Sequence, residues 1–199
     1  MEDRTNQRIK KCRLFCLRPT NQWRQSNRFV SLRYTNRPLR PALELLMTIE
    51  LNLNTTVQDH RHLLSSLIED SEESILCSGW IKLEGVKRLE PSIQKAVSKN
   101  FSVSIISNAA HTHKRAANLI KKWPCVRHFM ITKDTRTLHS KVYYFRAGRN
   151  FTAIVGSANI TEGGLVSSDE ASLKISGTVK DDFHGEIKSY LDDLVSHLQ

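Results

Sequence analysis

Four side chains able to handle a phosphodiester fall in two pairs within residues 138–175, which read LHSKVYYFRAGRNFTAIVGSANITEGGLVSSDEASLKI. His139 and Lys141 form one pair, Ser157 and Asn159 the other. An imidazole is a nucleophile and proton carrier near neutral pH. An ammonium, a hydroxyl and an amide supply the charge and donors that phosphate oxygens need. The runs at residues 142–145 and 151–155 read as strands, and the polar segment Arg146-Ala147-Gly148-Arg149-Asn150 between them reads as a hairpin turn. With that loop centred on Arg149, His139 lies opposite Asn159 and Lys141 opposite Ser157. Side chains two apart on a strand share a face, so all four would converge on one spot. Taken singly, each has a plainer reading: a structural histidine, a solvated lysine, a Ser-Ala-Asn turn. The combination favours catalysis.

His139-Ser140-Lys141, followed at a distance by Gly156-Ser157-Ala158-Asn159, resembles the H-x-K…G-S-x-N signature of the phospholipase D superfamily. The tail is similar too, with Ile160, Thr161, Gly164-Leu165 and Glu170. The longer family pattern has Asp where this chain has Arg146, an acid that single-motif nucleases such as metal-independent restriction endonucleases can lack. The resemblance implies an α/β fold, an α/β/α sandwich with a mixed β-sheet. It implies that His139 attacks phosphorus and forms a phosphohistidine that water resolves. Lys141, Asn159 and Ser157 would donate to the phosphate oxygens. Glu170 would accept the other ring N–H of His139 and hold its tautomer. No metal and no cofactor is called for.

The elements that must position these groups follow from periodicity. From Met47 helix and strand alternate. Residues 57–69 carry Leu63, Leu64, Leu67 and Ile68 at helical spacing, and 74–81 (SILCSGWI) is a strand that includes Trp80. Glu90-Pro91 opens a second helix, since proline suits a first turn; 101–107 is a strand, and 113–123 a helix stopped by Pro124. Strands at 126–132 and 171–177 flank the hairpin. A last helix starts at Asp181, with Ile187, Leu191, Leu194 and Leu198 on one face. This order predicts a mixed sheet between helices.

The 199 residues suffice for one ordinary domain, read as residues 47–199. No apolar run approaches the ~20 residues of a membrane span, which points to a soluble, cytoplasmic protein. Residues 1–46 hold 11 basic and 3 acidic side chains, +8 of the chain's +10. They read as a basic arm for a nucleic-acid backbone, an organelle leader, or sequence ahead of a true start at Met47; residues 42–46 could make a helical turn. Of the four cysteines, Cys77 and Cys125 are expected to be buried thiols. Cys12 and Cys16 could be half of a zinc site, with no second pair nearby to complete it. His60, His62, His111 and His113 are read as surface residues, the latter two as phosphate contacts at most. His128, His184 and His197 receive no role.

The leading reading is an endonuclease, with DNA ahead of RNA as substrate. A phospholipid phosphodiesterase and a non-catalytic nucleic-acid-binding subunit are the alternatives. In-line displacement needs a nucleophile on one side of the phosphate and an acid on the other. The chain has one H-x-K motif, so a homodimer with a shared active site is expected.

Overall fold

The computed structural model describes residues 47–134 and 136–196. The basic segment 1–46, with Cys12, Cys16 and the turn at 42–46, lies outside the described residues, as do His197 and Leu198. Seven strands form one mixed sheet in the order β1-β7-β6-β5-β2-β3-β4. In chain order they are β1 (Thr48–Leu53), β2 (Glu73–Ser78), β3 (Ser102–Asn108), β4 (Val126–Ile131), β5 (Lys141–Ala147), β6 (Asn150–Gly156) and β7 (Ala171–Thr178). The run β2, β3, β4 is parallel, joined through helices α2 (Leu83–Ser98) and α3 (Lys114–Ile120). The other pairings are antiparallel.

Period-two alternation splits the strands' side chains between two apolar layers. Leu76, Ile105, Tyr143, Phe145 and Ile154 pack with α1 (His60–Asp70), α2 and α3 through Leu64, Ile68, Leu89 and Ile93. On the other face Cys77, Ile106, Tyr144, Phe151 and Ile175 pack with Leu191 and Leu194 of α4 (Asp182–Val195). This is the expected α/β/α sandwich.

Several boundaries differ from the sequence expectation. Helix α2 begins at Leu83, so Pro91 lies inside it. Its buried stripe, Gly85, Val86, Leu89, Ser92, Ile93 and Ala96, is continuous across the proline; that burial outweighs the ~3 kcal/mol an interior proline costs. Strand β2 stops at Ser78, so Trp80 leaves the sheet. Cys125 is exposed in the turn after α3 at φ +64, while Cys77 is buried as expected. Thr48–Leu53 adds an edge strand that the sequence reading had not assigned; its Leu51 is 65% exposed.

The β5–β6 hairpin pairs Val142 with Val155 and Ala147 with Asn150, leaving Gly148-Arg149 as a two-residue turn. This shifts the register one residue from the expected pairing, placing Lys141 at the level of Gly156. Gly148 has φ +58, which two-residue hairpin turns require of their first position. A side chain there would meet nothing within 4 Å, so any cost is purely one of backbone conformation. Gly148→Val should therefore lower stability by about 1–2 kcal/mol, read as a lower urea midpoint. Gly148→Asn should cost less, and equal midpoints for all three chains would contradict the assignment.

Candidate active site

Five chain segments end or begin at one edge of the sheet: the ends of β2, β3 and β6 and the starts of β5 and β7. Buried Asn108, closing β3, donates from Nδ2 to the Leu138 carbonyl at 2.8 Å. Gly79 N–H donates to the Ser140 carbonyl at 3.0 Å. These two bonds clamp the backbone on either side of His139. A Cβ on Gly79 would stand 2.9 Å from His139 Cα, so only glycine lets the strands approach this closely.

His139 and Lys141 share the face that alternation predicted, and Ser140 turns away, its Oγ 2.6 Å from the Tyr190 hydroxyl on α4. His139 is exposed. Lys141, only 8% exposed, donates from Nζ to the His139 carbonyl at 2.7 Å and stands 3.3 Å from its Nδ1. Burial pulls the Lys141 pKa below its ordinary value, opposed by the negative charge of Glu170. Lys141 is thus a desolvated ammonium beside the imidazole, leaving His139 Nε2 with no protein partner among the described residues.

Asn159 is oriented from behind. Its Oδ1 accepts the Trp80 backbone N–H at 3.1 Å, and since only an oxygen can accept there, the Nδ2 donors are left for a ligand. Ser78, which the sequence reading missed, is fully buried. Its hydroxyl donates to the Trp80 carbonyl at 2.8 Å and accepts from the Ile160 N–H at 3.1 Å. The buried Tyr143 hydroxyl donates to the Ala158 carbonyl at 2.7 Å. The loop carrying Ser157 and Asn159 is therefore fixed at successive positions. Period-two pattern predicts that Ser78 and Tyr143 point inward, but not which carbonyls they meet.

Glu170 is placed differently from the expectation. It accepts a short hydrogen bond from Ser157 Oγ, and no hydrogen bond joins it to His139. The cause is the β6–β7 pairing: Gly156 faces Ser172, so the residues just outside each strand, Ser157 and Glu170, meet across the ladder. Glu170 still acts on the site electrostatically, raising the pKa of Lys141 and of His60. Arg146 lies at the far end of β5, paired with Glu73 at 3.0 Å and Glu72 at 3.3 Å. The superfamily's acid position is thus a structural ion pair here, at the end of β5 away from His139 and Lys141.

His60 corrects the reading of a surface residue, being 1% exposed. Asn54 Nδ2 donates to the Gly164 and Ser168 carbonyls, so Asn54 Oδ1 must accept from His60 Nδ1 at 2.6 Å. His60 Nε2 then accepts from Ser172 Oγ at 2.8 Å. Ser172 packs on Gly156, where a Cβ would come within 2.2 Å of its hydroxyl. His60 therefore buttresses the β6–β7 end that carries Ser157 and Glu170. His62 and His113 are exposed, as expected; His111 is exposed with its ring 5.2 Å from that of Trp80. His128 and His184 bond to Ser107 and Tyr144, away from the site. Among the described residues no three His, Cys, Asp or Glu side chains cluster as metal ligands would, and no helix is long and apolar enough to cross a membrane.

Residues 64–195 match the family described as cardiolipin synthase, PLD-like domain. No curated protein matches the chain. Among solved structures, NucT from Helicobacter pylori is similar with a TM-score of 0.56 at 18% identity, over 76% of this chain and 97% of that one. Nuc from Salmonella typhimurium, a phospholipase D family member, has a TM-score of 0.60 at 13% identity, over 76% of this chain and 95% of that one. Polyphosphate kinase from Porphyromonas gingivalis has a TM-score of 0.54 at 13% identity, matching 75% of this chain but 26% of its own length. At these identities the likeness is one of fold.

The buried His60 predicts a pH dependence of stability. Burial lowers its pKa from 6.5, against the opposing charges of Glu170 and Asp59. A base whose folded pKa is depressed contributes stability that is complete above the unfolded pKa and is lost as pH falls below it. The urea midpoint should decline from about pH 7 to pH 5, before the carboxylates titrate. His60→Gln should flatten that decline, leaving the part due to His128, whose pKa burial also lowers. An unchanged slope in His60→Gln would show that His60 is not the buried neutral base.

Proposed function

The chain belongs to the phospholipase D-like family, and from that premise we propose that it is a metal-independent phosphodiesterase, an endonuclease acting on DNA or RNA through a phosphohistidine. The observation that carries the reading is the juxtaposition of an exposed His139, the desolvated Lys141 ammonium at 3.3 Å, and an Asn159 amide whose donors are turned outward. A phosphate drawing Lys141 Nζ onto its oxygens releases His139 Nδ1 to carry the ring proton while Nε2 attacks. The N–P bond forms as the bond to the leaving oxygen breaks, and that oxygen takes a proton. Water then breaks the N–P bond. Lys141 and Asn159 hold the charge that grows on the non-bridging oxygens. Ser157 gives its one hydroxyl proton to Glu170 and accepts the Ala171 N–H, so it donates to the same phosphate only once its proton turns away from Glu170. NucT and Nuc, the latter a phospholipase D family member, are each spanned almost whole by this chain, which supports a catalytic unit of similar extent.

The leaving oxygen needs an acid on the face opposite His139, and the chain has a single H-x-K motif. A homodimer with a two-fold axis through the phosphate site supplies it from the second subunit's own histidine. Such an interface is isologous, the same patch on both chains. The runner-up is a phospholipid phosphodiesterase, kept because the matched family is described by a lipid enzyme.

Incubation with plasmid DNA, RNA and anionic phospholipid, each in excess EDTA, separates these readings. Cleavage of nucleic acid should persist in EDTA and vanish in His139→Ala; loss on chelation, restored by magnesium, would sink the metal-independent mechanism. Asn159→Ala should lower kcat by roughly 10²–10³, far more than the small fall in urea midpoint expected from losing the acceptor of the Trp80 N–H. Mixed dimers of wild-type and His139→Ala chains should be nearly inactive. A fully active monomer by light scattering would rule out the shared site.

A further inference from the structure

We propose that Trp80, backed by His111, is a stacking platform for the nucleobase next to the scissile phosphate, so that the favoured substrate is a single strand whose base is free to leave its neighbours. This deepens the nuclease reading and rests on it. Tryptophan is highly buried on average, yet Trp80 is 43% exposed. It stands one hydrogen bond from a phosphate-binding group, since its backbone N–H holds Asn159 Oδ1 at 3.1 Å. The preceding residue, Gly79, packs against the backbone of His139. The indole is therefore carried at the edge of the site, on the residue that links Gly79 to the Asn159 contact.

The platform is held rigid. Ile81, fully buried, bridges in parallel both to Thr112 and to Ile160. Ile81 N–H donates to the His111 carbonyl at 3.3 Å, and His113 N–H donates to the Ile81 carbonyl at 2.8 Å. On the other side Lys82 N–H donates to the Ile160 carbonyl at 3.0 Å. Ser78 Oγ fixes the Trp80 carbonyl as well. His111 supports the indole from its own loop, ring centroids 5.2 Å apart and planes 35° from parallel. A ring backed on one side and locked at the backbone loses little freedom when a base stacks on it. Lys82, Lys114 and Arg115 are exposed on the adjoining segments and supply charge for flanking phosphates. Stacking on an aromatic face is available to any base, but a base paired inside a duplex reaches it only after unstacking.

The test uses the full chain with His139→Ala, so that binding is read without cleavage. A labelled oligothymidylate should bind with a salt-dependent affinity that Trp80→Ala weakens about 5- to 150-fold, the range of a single base–aromatic stack. Trp80→Phe should recover most of the loss. An oligonucleotide with abasic residues should bind equally well with and without the Trp80→Ala change. In the active chain Trp80→Ala should raise KM more than it lowers kcat, because Asn159 is held by the backbone N–H and not by the indole. Affinity unchanged by Trp80→Ala, or duplex cut as readily as single strand, would overturn the platform. So would a Trp80→Ala chain that loses its dimer by light scattering without losing single-strand affinity, which would assign the indole to the subunit interface. Binding to phosphatidylglycerol vesicles in place of oligonucleotides would overturn it too. Cleavage that does not depend on Trp80 overturns the platform alone; no cleavage of any nucleic acid by the wild-type chain overturns the proposed activity.

Discussion

The buried hydroxyl of Ser78 ties together the two halves of the sheet edge on which the site is built. It gives its proton to the Trp80 carbonyl and takes one from the Ile160 N–H, joining the end of β2 to the loop after β6. A hydroxyl with both functions satisfied contributes about 1 kcal/mol net, but removing it strands the buried Ile160 N–H at ~1–3 kcal/mol and takes the donor from the part-buried Trp80 carbonyl. Through that knot the Trp80 N–H is aimed at Asn159 Oδ1. The amide's donors then face outward without any contribution from a ligand. Preorganisation of this kind is what lets neutral donors stabilise charge at a phosphate, since no dipole has to turn during the reaction.

Charge around the site is handled at two depths. Lys141 is desolvated, and Glu170 offsets part of that cost from across the β6–β7 ladder. Glu170 is itself engaged by Ser157. His60 is pushed toward its neutral form by burial, and its two ring nitrogens are satisfied by Asn54 and Ser172. The ion pairs of Arg146 and of Arg88 with Glu162 are more exposed, where such pairs add little stability. The desolvated ammonium beside His139 is thus set apart from charges held in exposed surface pairs.

Local pattern carried much of the architecture. The alternation in β2, β3, β5 and β6 is strict enough to separate the two apolar layers, and the 3.6-residue stripes of α1 and α4 mark their buried faces. Two local signals misled. Pro91 suggested a helix start, because proline's preference for a first turn is visible in sequence while the packing of Val86 and Leu89 that overrides it is not. The chain at His60 looked polar, because a buried polar network is built from residue types that also populate surfaces.

The sequence by itself determined that His139 shares a face with Lys141, and which strands and helices carry the apolar layers. These are properties of residues a few positions apart, set by backbone geometry that every strand or helix shares. Tertiary structure alone decided that Glu170 meets Ser157 and not His139, that His60 is buried, and that the Trp80 N–H meets Asn159 Oδ1. Trp80 and Asn159, like His60 and Ser172, lie far apart along the chain, and their meeting follows from the strand order. Even the hairpin register turned on this difference: a two-residue turn at Gly148 shifted the whole ladder by one. Periodicity records which way a side chain points; only the packing of distant segments fixes what it meets.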